Sequence, residues 1–288
     1  MKPIKYKHQK FNIMPYITKD IDKSYSIYYE DFGQGQPVIL IHGWPLSGKS
    51  WEPQVAALMG AGYRVITYDR KGFGKSHPTM GGYDYNSLTD DLLELITQLD
   101  LQKVVLVGFS MGGGEVVRFL SNNGAENIDK VALISSIIPL VKQKEDNPDG
   151  VPESDLNDIL ENLKKDRVTF LEGFHKKFYN YGLLSQTVSE AQLNYDWSIA
   201  SQASPIATIK CAESWANTDF RIELKNVTVP TLIVHGDDDK IVPIATAGEQ
   251  AAKGIANNQY HVISGAPHGL NVTHADELNQ ILINFLKN

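Results

Sequence analysis

Residues 103–120 read KVVLVGFSMGGGEVVRFL, and no other stretch restricts the fold as tightly. An apolar run, VVLV, passes through Gly108-Phe109-Ser110-Met111-Gly112 directly into a segment with the spacing of an amphipathic helix. The G-x-S-x-G spacing between a strand and a helix has a steric cause. A sharp strand-to-helix turn drives the serine into a strained backbone conformation, and only glycine lets the neighbouring chain pass. Such a turn lifts the hydroxyl to the C-terminal edge of the sheet, where open α/β folds bind ligands. The N–H groups that open the next helix then point at the same place. On its own the pattern is short, and a tight turn with an incidental serine would satisfy it. Its setting makes Ser110 a candidate nucleophile.

The rest of the chain agrees with a mostly parallel sheet covered on both faces. Short β-rich runs at 25–30, 37–42, 64–68, 103–107, 130–135, 231–235 and 259–263 alternate with helical patterns near 51–60, 88–99, 112–121, 245–255 and 276–286. Asn86-Ser87 supplies a plausible cap for the second of these helices. The rhythm breaks after Ser136 and resumes at VTVPTLIVHG. The sequence therefore predicts an α/β core over 21–138 and 226–288, with residues 139–225 inserted as a helical cap. Residues 1–20 read as an N-terminal extension, poorly ordered in part. Met14 is an alternative start.

With 288 residues and 42% hydrophobic content, the chain can bury one large core. Its net charge of −7 argues against nucleic acid as a partner. The single cysteine, Cys211, permits no intrachain disulfide. No apolar run approaches the roughly 20 residues that span a bilayer, and the lysines near the start lead into no signal-peptide core. A cytoplasmic protein without membrane attachment is the expectation. There is no H-E-x-x-H and no C-x-x-C, so no metal site is expected. Gly72-Phe73-Gly74 lacks the third glycine of a dinucleotide fingerprint. Asp69 and Arg70 beside it read as a hydrogen-bonded pair that locks the loop.

A serine nucleophile needs a base, and the base needs an orienting carboxylate. On folds with this turn the chain order is serine, acid, histidine. After the strand TLIVHG come Asp237, Asp238 and Asp239, any of which sits in the right layer. Of the later histidines, His235 at a strand end reads as structural, His261 lies inside a strand pattern, and His274 opens a helix. His268, in the loop Gly-Ala-Pro-His-Gly after the last strand, is the candidate base. Charge developing on a substrate oxygen needs preorganised donors. The Met111 N–H is one, and the loop His42-Gly43-Trp44-Pro45 supplies the Trp44 N–H as the other. His42 itself reads as a structural hydrogen-bonding residue. Phe170, Phe174 and Phe178 repeat at helical spacing in the cap, as core, as pocket wall, or both.

With these residues in hand, the chain resembles the bacterial arylesterases and cofactor-free haloperoxidases (perhydrolases) of the α/β-hydrolase superfamily. The resemblance runs from about residue 21 to the end, through HGWP, YDRKGFGKS, GFSMGGGEV, NTDFR, HGDDDKIVP and APHGLNVTHADELN. It implies an α/β-hydrolase fold with an eight-stranded type of sheet, and D-x-x-V-P spacing selects Asp239 as the acid with Ser110 and His268. It implies an oxyanion hole at Trp44 and Met111, and a pocket wall of Val141, Phe174, Phe178, Trp215, Ile241 and Val242. Members often carry a large aromatic where Val141 stands. It further implies hydrolysis of small aryl and alkyl esters with no cofactor, hydrogen peroxide as a second acyl acceptor, and a homo-oligomer. Short acyl chains are expected, with Pro45 holding the Trp44 carbonyl where it would accept from peroxide. A dehalogenase or epoxide hydrolase would need aspartate at position 110. A lactone or C–C hydrolase, or a non-catalytic receptor retaining the triad, is the rival reading.

Overall fold

The computed structural model describes residues 15–19 and 25–288. Most of the expected N-terminal extension, with Met14, lies outside them. Tyr16–Lys19, which falls in that extension, forms strand β1 and pairs antiparallel with β2 (Tyr25–Phe32). The seven strands expected from sequence all form. They are β2, β3 (Pro37–Ile41), β4 (Arg64–Tyr68), β5 (Val104–Phe109), β6 (Ile128–Ile134), β7 (Thr231–Gly236) and β8 (Asn258–Ile263). They lie in one eight-stranded sheet in the order β1-β2-β4-β3-β5-β6-β7-β8, antiparallel at the β1/β2/β4 edge and parallel beyond it. Every residue of β3, β5 and β7 is buried, as strands covered on both faces must be. Each such Val, Leu or Ile contributes about 1.5–3 kcal/mol of burial.

Helices α1 (Glu52–Gly60), α2 (Tyr85–Gln98) and α3 (Met111–Asn123) follow β3, β4 and β5. The α2 cap is Asp84, whose carboxylate accepts from Ser87 N–H at 3.1 Å, not Asn86-Ser87. An aspartate two residues earlier does the same job because the helix starts at Tyr85. Between β6 and β7 lie α4 (Glu153–Phe178), α5 (Glu190–Gln202) and α6 (Pro205–Asn217). The first of these breaks at Asp166 (φ −154°, ψ 84°), whose carboxylate accepts from Thr169 N–H at 3.1 Å and caps a second helical half. After β7, α7 (Gly248–Gly254), α8 (Leu270–Thr273) and α9 (Ala275–Lys287) complete the layers.

Candidate active site

Three loops at the C-terminal edge of the sheet converge. Ser110, between β5 and α3, has φ 52° and ψ −116°, the strained turn that its flanking glycines permit. A Cβ on Gly108 would lie 2.5 Å from the Gly112 carbonyl oxygen, and one on Gly112 would collide with the Ile41 carbonyl. Ser110 is buried, and its N–H donates to Ile134 O at 2.9 Å, which ties the turn to β6. Met111 heads α3, so its N–H has no partner within the helix.

His268, in the loop after β8, lies with Nε2 2.9 Å from Ser110 Oγ and Nδ1 2.7 Å from Asp239 Oδ2. A carboxylate only accepts, so Nδ1 carries the proton and Nε2 is bare toward the hydroxyl. The imidazole is held between the Phe109 ring at 5.3 Å and the Phe178 ring at 4.9 Å. The next residue, Gly269, donates its N–H to Phe178 O, which fastens the loop to the end of α4.

Asp239, not Asp237 or Asp238, meets His268. Its Oδ1 accepts from the N–H groups of Ile241 and Val242 at 2.9 and 2.8 Å. Its Oδ2 also lies 3.2 Å from His235 Nε2, which donates to Val242 O at 3.0 Å as well. Burial alone would push this carboxyl up. Attraction to the His268 imidazole and the hydrogen bonds from His235 and His268 outweigh burial and hold it well below the usual carboxylate range. Asp237 instead accepts from Gly265 N–H at 2.5 Å, and Asp238 from Asn180 at 2.7 Å. The contact of His235 with the acid was missed in the sequence. Its signal is a histidine four residues before Asp239.

The Trp44 loop is held from below. Arg70 Nη2 donates to His42 O at 2.8 Å, and the Arg70 N–H donates to His42 Nε2 at 3.0 Å. His42 Nδ1 therefore carries the proton and donates to Gly43 O at 2.9 Å. Burial, then the Arg70 charge, holds this imidazole neutral, far below its ordinary value. Arg70 also grips Glu115, whose other oxygen accepts from Tyr68 Oη at 2.6 Å. Burial would make Arg70 easier to deprotonate, but Glu115 outweighs it and keeps the guanidinium charged. The expected Asp69–Arg70 pair does not form. Asp69 turns to the N–H groups of Gly48 and Lys75, both at 2.8 Å, because Arg70 has a stronger partner in Glu115. Glu115 was the residue sequence reading overlooked, a lone acid inside the helix that follows the glycines.

Above the serine is a chamber of about 20 Å³ lined by Trp44, Ser110, Ile137, Phe174, Trp215, Ile241, Val242 and His268. Trp44 donates its indole N–H to Thr208 O at 2.9 Å and packs on Phe174 and Trp215. Ile137 was not expected there, although it follows the C-terminal end of β6. A second cavity of about 630 Å³ shares Phe174, Trp215 and Ile241 with the chamber and takes in Val141. Phe178 and Pro45 line neither cavity. Phe178 is fully buried beneath the His268 ring, and Pro45 is buried in the turn closed by the hydrogen bond from Leu46 N–H to Gly43 O.

A serine at a strained turn, faced by a histidine and carboxylate across the edge of a parallel sheet, defines a hydrolase-type site. The family model described as alpha/beta hydrolase fold matches residues 36–275, and the chain belongs to that family. The crystal structure of a bromoperoxidase from Bacillus anthracis matches with a TM-score of 0.90 at 48% identity, over 92% of this chain and 96% of that one. A non-heme chloroperoxidase of Kitasatospora aureofaciens is 37% identical over 90% of this chain and 95% of its own length. A bifunctional esterase/perhydrolase of Acinetobacter calcoaceticus is 34% identical over 95% of this chain and 100% of its own. Among the described residues, no helix is long and apolar enough to cross a membrane.

Proposed function

We propose that the chain hydrolyses small carboxylic esters by two-step acyl transfer, with Ser110 as nucleophile, His268 as base and Asp239 as the group that orients and stabilises the imidazolium. The observation that carries this is the continuous chain from Ser110 Oγ through His268 to Asp239, at 2.9 and 2.7 Å. Ser110 Oγ attacks the ester carbonyl as its proton passes to His268 Nε2. The N–H groups of Met111 and Trp44 receive the oxyanion, each worth on the order of 10²–10³ in rate. Collapse breaks the bond to the alcohol, which leaves with the proton held by His268. Water, giving up a proton to His268, then adds to the acyl-serine, and collapse breaks the bond to Ser110 Oγ, releasing the carboxylic acid and returning the proton to Ser110.

Relatives named perhydrolase and haloperoxidase support hydrogen peroxide as an alternative to water at the second step. Acyl-serine and peroxide give a peracid and free Ser110, with no atom left over. The test is a panel of aryl and alkyl esters, with and without peroxide, with Ser110→Ala as blank. Hydrolysis of acetates that vanishes in the blank is expected. Negligible turnover of every ester would favour a non-catalytic receptor, and lactones outrunning open esters would favour a lactonase. The peracid-to-acid ratio in Pro45→Leu reads whether the turn after Trp44 sets the choice of acceptor. An unchanged ratio leaves Pro45 as a loop residue.

A further inference from the structure

Asp239 is held by a second histidine, which takes no part in the acyl transfer described above. His235, in β7, is fully buried. Its Nε2 lies 3.0 Å from Val242 O and 3.2 Å from Asp239 Oδ2. A carbonyl and a carboxylate only accept, so Nε2 carries a proton that these two oxygens share. The opposite nitrogen, Nδ1, is buried with no hydrogen-bond partner. Gly248, at the start of α7, closes that side of the ring, and a Cβ on it would lie 3.0 Å from Nδ1. With two acceptors at Nε2 and none at Nδ1, the tautomer is set from both ends.

These contacts close a ring around the acid. The Val242 N–H donates to Asp239 Oδ1, the Val242 carbonyl accepts from His235, and His235 returns to Asp239 Oδ2. Oδ2 is also the oxygen that accepts from His268 Nδ1 at 2.7 Å. Two imidazoles therefore compete for one carboxylate oxygen. A donor on a carboxylate stabilises its charge and leaves less of it for the next partner.

We propose that His235 is a positioning residue: it fixes Oδ2 opposite His268 and weakens the pull of the carboxylate on the imidazolium, so that His268 works as a base to a lower pH than it would beside Asp239 alone. The inference rests on the ester-hydrolase reading and adds a residue that acts only through Asp239. Other charged groups on the surrounding elements are engaged elsewhere. Asp237 accepts from Gly265 N–H, and Asp238 pairs with Lys240 at 3.4 Å and with Asn180. His175 of α4 bonds to Leu171 O behind the Phe178 ring, and the charge of Glu249 on α7 is felt at Tyr260.

The test compares His235→Phe, which keeps a flat ring but loses the N–H, with His235→Gln, whose amide N–H can reach the position of Nε2. Hydrolysis of phenyl acetate is followed as kcat/KM across pH. In His235→Phe the acid limb, where His268 takes up a proton, should move to higher pH by about one unit. His235→Gln should bring it back toward the wild type. A purely structural role would lower kcat/KM at every pH and leave the limb in place, and that result overturns the proposal. Proton NMR of isotope-labelled protein reads the same bond without turnover. Loss of the competing donor should move the His268 Nδ1–H resonance further downfield, and an unmoved resonance also overturns the proposal. Should neither variant fold, the wild-type spectrum decides. A proton on His235 Nε2 supports the assignment, and one on Nδ1 overturns it. Phenyl acetate left intact by the wild type, or hydrolysed by Ser110→Ala, overturns the ester-hydrolase reading instead. The resonances still report on His235 in that case, so the two failures are separable.

Discussion

The floor of the site and the cap above it are held by different forces. The floor is polar and closed, with Arg70, Glu115, Tyr68 and His42 bonded to one another beneath the Trp44 loop, and Asp239 bonded through both of its oxygens. These groups hold one another through several hydrogen bonds each, so the geometry is fixed from more than one side. The cap is three helices packed mainly through apolar side chains around an open cavity, with α4 broken at Asp166. Hydrogen bonds tie it to the sheet domain at scattered points, Trp44 to Thr208, Gly269 to Phe178 and Asn180 to Asp238 among them. Substitutions in the floor should therefore change the rate of chemistry or the stability of the whole chain. Those in the cap should change what is accepted.

Apart from removal of Ser110 itself, the largest effect expected is at the acid. Asp239→Asn should lower kcat on the order of 10⁴-fold, because the imidazole loses the partner that fixes its tautomer. Asp237→Asn and Asp238→Asn, whose carboxylates bond to Ser264 and Gly265 and to Asn180 and Lys240 but not to His268, should leave kcat within a few-fold. A crippled Asp237→Asn enzyme would contradict the assignment of Asp239 as the partner of His268.

Next comes the buried ion pair. Glu115→Gln leaves the Arg70 guanidinium buried without its counter-charge, and such losses cost about 3–5 kcal/mol. Urea unfolding monitored by fluorescence measures it. A variant as stable as the wild type would show that the floor does not depend on this pair.

The cap has its own, smaller, pH-dependent term. His175 is buried in α4, donates from Nδ1 to Leu171 O at 2.7 Å, and has no partner at Nε2. Burial lowers its pKa to about 4, against 6.5 when exposed. The unfolded chain therefore takes up a proton first, and stability present above pH 6.5 is lost as pH falls toward 4, by roughly 3 kcal/mol from this residue. His42, also held neutral, adds to the slope in the same direction. In His175→Leu, stability between pH 6.5 and 4 should fall less steeply than in the wild type. An identical slope would contradict the assignment.

The same contrast explains what the sequence disclosed. The floor was legible because its steric demands are written in short, ordered patterns. Glycines flank Ser110, Asp239 stands at a fixed distance past β7, and His268 follows β8. Each serves a local backbone geometry that few other residues satisfy. Partners distant in sequence were not legible. Nothing near Arg70 announces Glu115, 45 residues on, and Asp69 next to it was the more obvious guess. The cap was legible as helical but not in its walls. The Phe170, Phe174 and Phe178 stripe gives one helical face, yet only the packing of α4 on the sheet decides that Phe174 meets the chamber while Phe178 lies under His268.

The central claim is that Ser110 is the nucleophile and that its reactivity comes from His268. A fluorescent organophosphonate ester, followed by intact-mass and peptide analysis, tests it most directly. The wild type should take up one label per chain, on Ser110, and lose ester hydrolysis in proportion. Ser110→Ala should fold normally, take up none, and hydrolyse on the order of 10⁶-fold more slowly. Label on another residue, or hydrolysis persisting in Ser110→Ala, would contradict it.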